Sequence, residues 1–315
     1  MDRWYGRGES SAAVFVISRP EHGSLISYGS KYAMKATFTT GATVASGDVY
    51  KMAQRVEGFK MYNLGWGTAY AKPLTLSFLV RTGTTGTHSG SIMNQQQNRS
   101  YPFTFSVGST SWNEITVTIP GDTSGTWDSA TGIGLEVNFD LGSGSGKRAS
   151  AGSWYASRAE GATGAVQLAT TTNSYLEIAK VQLEIGYIKT EYEHKSFDKD
   201  LYECQRYFCK TYDHGTVPGT VTTDGAFVHS LAVSGHNYAG FPIIYPNDMR
   251  VTPTVVLYST VSANTTGKTT ADSANGNAAV GYAGTKRSFV YRSNDSSGTG
   301  KNVFLRCQFT ASADL

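Results

Sequence analysis

Residues 177 to 210 read EIAKVQLEIGYIKTEYEHKSFDKDLYECQRYFCK, and within them a strand pattern gives way to a helical one. From Val181 to Ile185 apolar and polar residues alternate, which is the period of a strand with one buried face. After Ser196, a plausible N-cap, the spacing changes to that of one amphipathic helix. Its apolar stripe consists of Phe197, Leu201, Cys204 and Phe208. The stretch therefore marks a joint between two domains.

The length of 315 residues is enough for two domains with their own cores. With 35 Gly, 19 Tyr and 14 Phe, the composition favours strands and turns over helix. We predict an all-β protein: an N-terminal jelly-roll β-sandwich over residues 1–194, a helix and linker over residues 195–212, and a second, smaller β-sandwich over residues 213–315.

Alternating segments predict half-buried antiparallel strands in the first domain, at Leu74–Val80, Phe103–Val107, Ile115–Ile119 and Ile133–Leu141. The apolar phase slips between Ile178 and Val181, which predicts a β-bulge near Ala179 and Lys180. Turn-rich stretches separate the strands, as in a sandwich or jelly roll.

The second domain has strand candidates at residues 226–233, 254–258, 287–292 and 303–310. Between two of them, Ser262 to Gly284 contains almost no large apolar residues and is predicted to be a long loop.

Net charge and cysteine content exclude several classes of protein. The net charge is +3, only 16% of residues are charged, and no Lys/Arg block is present, so no nucleic-acid partner is implied. No stretch approaches the length of a membrane span, and no signal peptide is recognisable. The three cysteines do not suggest disulfides, and Cys307 alternates with apolar residues as a buried side chain would.

No nucleotide-binding or metal-binding motif is found. The segment GSGSGK resembles a phosphate-binding loop, but Leu141 and Arg148 occupy positions where that loop needs Gly and Ser or Thr. No nucleophile elbow, zinc helix or paired cysteine motif occurs either. The six histidines are scattered singly.

Two pairs of carboxylates could serve a glycosidase, which needs two such groups about 5–10 Å apart. These are Glu136 with Asp140 on one strand and Glu191 with Glu193 on another. The competing interpretation is that they face solvent. We prefer it, because alternation along a strand places polar residues on one face in any case.

Aromatic residues in loops indicate sugar binding, since a pyranose face stacks on a flat ring while amide or charged groups bind its hydroxyls. The candidates are Trp66, Trp154 and Tyr155, with Asn63 and Arg158 near them in sequence. Capping of the sandwich core is the alternative role. We expect that role for Trp127, and for Trp154 and Tyr155 both roles stay open.

Several short segments resemble a known family. DRWYG, QRVEG, NRSYPFTF, VTIPGDTSGTW, NFDLGSGS, VQLEIG, TEYEHKSF and LYECQRYF are similar to segments of the carbohydrate-binding-module-like jelly roll in tail-fibre and virion structural proteins of tailed phages. The resemblance covers the first two thirds of the chain. The region ending in FTASADL is similar to C-terminal domains that follow this module.

The resemblance implies a protein of the virion, most simply a tail-fibre component that binds a bacterial surface glycan without catalysis. A capsid decoration or head-fibre protein is the main alternative, and a polysaccharide depolymerase is a third. DRWYG begins at residue 2, so instead of a fibre with the usual N-terminal adaptor we expect either a truncated fibre tip or a small stand-alone structural protein.

The partners expected from the resemblance are other virion proteins, the bacterial polysaccharide and two further copies of the chain. The stripe of Phe197, Leu201 and Phe208 could form the interface of such a homotrimer. No cofactor is expected. Jelly rolls of this type often hold a structural calcium ion, for which the sequence assigns no ligands.

Overall fold

A computed structural model describes residues 4–9, 12–233, 238–271, 274–293 and 301–315. These residues form an all-β protein with a single α-helix, as predicted. The chain divides into two compact units, one ending at His194 and one spanning Lys195–Asp314, and the C-terminal Leu315 groups with the first unit.

The first unit contains twelve strands among its described residues. They are β1 (Trp4–Gly8), β2 (Val14–Ser18), β3 (Met34–Thr40), β4 (Tyr50–Glu57), β5 (Leu74–Thr82), β6 (Gly86–Met93), β7 (Ser100–Val107), β8 (Asn113–Ile119), β9 (Ile133–Asp140), β10 (Arg148–Ala149), β11 (Gly161–Ala162) and β12 (Tyr175–Ile185). The four strands predicted here from alternation are all present.

Ten of these strands make two antiparallel sheets of a jelly-roll sandwich, in the orders β1-β4-β9-β6-β7 and β2-β3-β12-β5-β8. Their inward residues form one core, in which Phe78 of one sheet meets Phe139 of the other edge to face at 4.9 Å. Burial of these large side chains is the main favourable free energy of the fold, since each contributes about 1.5–3 kcal/mol.

The predicted β-bulge is confirmed. Strand β12 pairs with β5 through Ala179 opposite Leu79 and Gln182 opposite Ser77, so two residues of β12 face the single Phe78. Lys180, the first of the two, has φ of 50°. The extra residue turns the side chains of β12 relative to its neighbours.

The second unit begins with helix α1 (Phe197–Gln205), whose N-cap is Ser196 as predicted. The Ser196 hydroxyl accepts a hydrogen bond from the backbone N–H of Lys199 at 3.4 Å. The prediction that the helix extends to Phe208 is wrong. Phe208 starts a strand, because its backbone pairs with Ser312 near the end of the chain.

The remaining strands of the second unit are β13 (Phe208–Lys210), β14 (Phe227–Val233), β15 (Tyr238–Ile244), β16 (Thr254–Tyr258), β17 (Lys268–Ala271), β18 (Ala274–Gly281), β19 (Arg287–Ser293) and β20 (Lys301–Ser312). Their order is β13-β20-β17-β18-β19-β15, and β14 and β16 also pair with β20. The four strands predicted from the sequence are present. Residues such as Phe241, Leu305 and Phe309 form the core.

The prediction of a long loop at Ser262–Gly284 is wrong. Its described part contains the antiparallel strands β17 and β18, while residues 272 and 273 lie outside the described residues. Small and polar side chains such as Thr269 and Asn275 give no apolar alternation, so the hydrophobic pattern of the sequence does not reveal the backbone pairing of these strands.

None of the three cysteines, all of which lie among the described residues, is in a disulfide, and Cys307 is buried as predicted. Burial raises the pKa of the Cys209 thiol to about 11 and that of Cys307 to about 12. Cys204 on the helix is partly exposed.

We expect iodoacetamide at pH 8 to alkylate Cys204 in the folded protein and the other two cysteines only after unfolding. The reagent cannot reach the two buried thiols, and their raised pKa keeps them from forming the thiolate, which is the reactive form. Mass spectrometry of peptides with and without urea measures the difference. Equal labelling of Cys307 in both conditions would contradict the packing described for the second unit.

Candidate functional site

Three tryptophans from separate loops of the first unit pack against one another. Trp66 meets Trp127 at 4.6 Å and Trp154 at 5.3 Å, and Trp127 meets Trp154 at 5.6 Å, all edge to face. Edge-to-face geometry is favoured because the positive edge of one ring meets the negative face of another. We call these three residues the tryptophan cluster.

Every indole N–H of the tryptophan cluster has an acceptor. Trp66 donates to the carbonyl of Lys72 at 2.7 Å, Trp154 to that of Pro120 at 3.0 Å, and Trp127 to the carboxylate of Asp122 at 3.2 Å. Trp66 is only 7% exposed and lies in the main core, with the other two packed against it. The cluster therefore serves as a cap of the core, which is the role expected for Trp127.

Trp66 and Trp154 were candidates for stacking on a ligand, and for Trp154 core capping was the open alternative. In the structure the two rings pack against each other, and Trp154 also packs against Tyr101, whose ring centre lies 5.2 Å from that of Trp154. Trp66 has too little free surface to accept a sugar ring. Trp154 is partly buried in the same contact.

The loop that carries Trp66 exposes other aromatic rings instead. Phe59 is 57% exposed, Tyr62 74% and Tyr70 85%. Asn63, a predicted site residue, is exposed beside Tyr62 in the same loop. We call residues 58–72 the aromatic loop. Tyr62 and Tyr70 were missed from the sequence, although both lie in a turn-rich segment between two strands.

Buried side chains and a backbone hydrogen bond anchor the aromatic loop. It contains two 3-10 turns, Gly58–Lys60 and Tyr62–Leu64, and Met61, Leu64 and Trp66 are its buried anchors. The backbone N–H of Lys72 donates to the carbonyl of Leu64 at 2.8 Å and closes the loop. The exposed rings are thus attached to a fixed backbone.

Gly58 is required at the start of the aromatic loop. A Cβ there would lie 2.7 Å from the backbone nitrogen of Ala130, closer than packed atoms approach. The close approach lets the N–H of Gly58 donate to the carbonyl of Gly132 at 2.9 Å, and that of Phe59 to the carbonyl of Ala130 at 2.7 Å.

Tyr155 and Arg158, the remaining predicted site residues, lie outside the aromatic loop. Tyr155 pairs with Ser100 through two backbone hydrogen bonds of 2.8 and 3.1 Å. The guanidinium of Arg158 binds Glu160 at 2.5 Å and Glu9 at 2.6 Å, and these carboxylates hold its pKa above the usual range despite burial. Arg158 is therefore occupied by ion pairs within the protein.

A larger network of buried charges covers the outer face of the sheet that contains β4 and β9. Lys51 has no exposed surface and donates to Glu136 at 2.6 Å and to Glu160 at 3.2 Å. Arg55 also contacts Glu136, at 3.1 Å, and Arg148 contacts Asp140 at 2.7 Å. Buried charges are tolerated when each one is paired in this way.

The two carboxylate pairs considered for glycosidase chemistry have different surroundings. Burial alone would raise the pKa of Glu136, but Lys51, Tyr5 and Arg55 outweigh it and leave the pKa below its usual value. A general acid needs a raised pKa. Asp140 is fixed by Arg148 and by the backbone N–H of Ser143 at 2.8 Å. Both are buried, contrary to the expectation that they face solvent.

Glu191 and Glu193 are exposed, as expected, but they lie in an irregular segment after β12 and not on a strand. Among the described residues, no group of three or more His, Cys, Asp or Glu side chains could hold a metal ion. The calcium ion implied by the resemblance stays a prediction without assigned ligands. No helix found there is long and apolar enough to cross a membrane.

Comparison with known proteins gives structural likeness only. No family model and no curated protein matches the chain. It is similar to a CBM4 structure (11% identity, TM-score 0.33, covering 59% of this chain and 88% of that one). It is also similar to the family 11 carbohydrate-binding module from Clostridium thermocellum (11%, TM-score 0.32, covering 60% and 91%).

A phage structure also matches, the enzymatically active domain of tailspike protein 4 from bacteriophage CBA120. The identity is 11% and the TM-score 0.31, and the match covers 58% of this chain and 19% of that one. Likeness at these identities and scores carries no information on activity or ligand.

The charge network predicts a specific dependence of stability on pH. Because the pKa of Glu136 is lowered by folding from about 4.5, its contribution is complete above that pH and is lost as pH falls through the folded value. We expect Glu136→Gln to lower the free energy of unfolding by about 3 kcal/mol at pH 7, because the substitution removes a charged partner of buried Lys51. The loss should be smaller at pH 3, where Glu136 of the wild type contributes less. Urea unfolding at both pH values measures this.

Glu21→Gln is the control, because Glu21 pairs with Lys31 at the surface. We expect no change in its unfolding midpoint at either pH. A Glu136→Gln protein with the stability and pH dependence of the wild type would show that the buried pair does not stabilise the fold.

Proposed function

We propose that this chain is a non-catalytic structural protein of a tailed-phage virion, most simply a tail-fibre component that binds a bacterial surface glycan. The observation that carries the glycan-binding part is the aromatic loop, with Phe59, Tyr62 and Tyr70 exposed on a fixed backbone. The virion part rests on the sequence resemblance of the first two thirds of the chain.

Exposed rings on a fixed loop suit a sugar for a physical reason. The C–H face of a pyranose is apolar and packs against an aromatic ring, while its hydroxyls need polar partners at the edge. Asn63 supplies an amide beside Tyr62. Because the loop is anchored by Leu64 and Trp66, binding does not have to order it, and less affinity is lost to entropy.

The proposal contains no catalytic step. Glu136 and Asp140 are held by fixed cations, and Glu136 has the lowered pKa that opposes a general acid. It requires no organic cofactor. A depolymerase would shorten the polysaccharide, so incubation with purified host polysaccharide followed by size-exclusion chromatography tests this part, and we expect unchanged chain length.

The proposed place in the virion is the tail, and the alternative is capsid decoration. Immunogold labelling of intact phage with antibodies to this chain separates them. Gold at the tail or its fibres supports the proposal. Gold over the head would replace it with a role in capsid decoration or a head fibre.

We expect Tyr62→Ala and Tyr70→Ala each to weaken binding to the host polysaccharide about tenfold, which corresponds to about 1.4 kcal/mol per ring. The double variant should weaken binding about a hundredfold, as expected when the losses at two rings add. Isothermal titration calorimetry with purified surface polysaccharide measures it. Both side chains are largely exposed, so the variants should fold normally.

Tyr187→Ala is the matched control, since Tyr187 is 72% exposed in a different loop of the same unit. Its binding should equal that of the wild type. Undiminished binding by the double variant would contradict the aromatic loop as the site, and no binding by the wild type would contradict the function itself.

The proposal includes a homotrimer in which Phe197, Leu201 and Phe208 contact other copies. Phe197 is 69% exposed, Phe208 is exposed, and Leu201 is partly exposed. Exposed apolar residues of this kind are often covered in assemblies. Phe208 contributes from β13 rather than from the helix.

We expect the wild type to sediment with the mass of three chains and Phe197→Ser to shift it towards one chain. Tyr202→Ser, on the same helix but off the stripe, is the control and should remain trimeric. A wild type that sediments as a monomer at micromolar concentration would contradict the trimer.

A further inference from the structure

The first unit has a cavity of about 440 Å³ on the outer side of β5 and β12, well separated in sequence from the aromatic loop. Its size is within the range of small-molecule sites. Ser77 and Leu79 of β5 contribute to its floor. The other residues that line it are Tyr28, Phe78, Glu114, Lys180, Lys189, Thr190, Glu191 and Tyr192.

One wall of the cavity is the segment after β12, which is tied to that strand by Gln182. The Gln182 side chain donates to the carbonyl of Glu191 at 3.2 Å and accepts from the N–H of Glu193 at 2.8 Å. Thr190 is tied in the same way, since its N–H donates to Glu184 at 3.2 Å. This wall is therefore defined by specific hydrogen bonds, although it has no regular secondary structure.

Tyr28 lines the cavity from a 3-10 turn, Gly23–Tyr28. The turn ends at Gly29, which has φ of 71°, and its one buried residue, Leu25, belongs to a small apolar cluster with Leu79 and Ala179. The turn is thus packed onto the strands that form the floor.

Lys180 reaches the cavity because of the β-bulge. Its φ of 50° is unfavourable for a residue with a Cβ, so the position would suit Gly or Asn better than Lys. The ammonium donates to the carbonyl of Tyr28 at 2.6 Å and lies 5.0 Å from the ring centre of Tyr192. A strained backbone that holds a charged side chain at a cavity points to a role for that side chain.

Four charged side chains line the cavity, and two of them are paired with each other. Lys189 and Glu114 form an ion pair with each other. Among the described residues, neither Lys180 nor Glu191 forms an ion pair, although both line the same space. The cavity therefore offers one ammonium donor and one carboxylate acceptor, and its two positive and two negative charges cancel.

We propose that this cavity is a second saccharide site, which takes an uncharged hexose unit of the glycan. Sugar hydroxyls accept hydrogen bonds from Lys180 and donate them to Glu191, and Tyr28 supplies aromatic surface for the ring. Because the two lysines and two glutamates of the lining balance in charge, neither a sugar carboxylate nor an amino sugar gains a net electrostatic attraction there. The inference rests on the proposed function in that the ligand is a glycan, but not on the aromatic loop.

The test is an NMR titration of the full chain with neutral gluco-, galacto- and mannotetraose, and with tetragalacturonate as the acidic comparison. We expect a neutral tetraose to shift the amide signals of residues 189–192. Lys180→Asn should weaken that interaction about tenfold, and Lys180→Arg should preserve most of it. Asn tolerates positive φ, so Lys180→Asn should unfold at or above the wild-type temperature and loss of binding cannot come from misfolding.

The double variant Tyr62→Ala, Tyr70→Ala separates this inference from the proposed function. It should retain the shifts at residues 189–192 while it loses those at residues 58–72. Shifts confined to residues 58–72, stronger binding of tetragalacturonate at the cavity, or undiminished cavity binding by Lys180→Asn would each overturn the second site and leave the proposed function standing. No shift with any saccharide would count against both.

Discussion

The edge-to-face contact among Trp66, Trp127 and Trp154 is the constraint on which the candidate site depends. It brings together three loops that are far apart in sequence and covers one part of the sandwich core. Trp66 is turned inward, and its indole N–H donates to the carbonyl of Lys72 in the same loop. Tyr62 and Tyr70 are exposed because the large apolar residue of the same loop is used as its anchor.

The outer face of the sheet with β4 and β9 is covered by the protein itself. Glu160 is fully buried there against Lys51, and the adjacent Gly161 approaches so closely that a Cβ would lie 2.6 Å from the hydroxyl of Ser89. Arg148, with Asp140, ties the start of the same segment to β9. A ligand could reach this face only by breaking several buried ion pairs, and removal of one buried charge from its partner costs about 3–5 kcal/mol. The aromatic loop and the cavity on the other sheet are therefore more accessible to a ligand than this face.

The sequence predicted the architecture well because alternation of apolar residues records burial on one face of a strand. It located the bulge at Lys180 by the same signal, since an extra residue shifts the phase. It failed at Lys268–Ala271 and Ala274–Gly281, where small and polar residues form strands through backbone pairing. The predicted helix also extended to Phe208, because Phe208 fits the helical spacing and its strand pairing with Ser312 cannot be read from the local sequence.

Site residues were harder to predict than the fold for a related reason. A tryptophan in a loop has the same sequence signature whether it caps the core or binds a ligand, and only its tertiary neighbours distinguish Trp66 from Tyr70. Arg158 has the same ambiguity, since its partner Glu9 is 149 residues away. Asn63 is exposed in the aromatic loop, and its role in glycan binding stays a prediction.

The most direct test of the central claim is a crystal structure of the chain with an oligosaccharide prepared from the host surface polysaccharide. The account predicts a sugar ring packed on Tyr62 or Tyr70, with a hydroxyl bound by Asn63. A sugar bound on the face of the sheet with β4 and β9, with the segment around Glu160 displaced, would contradict it.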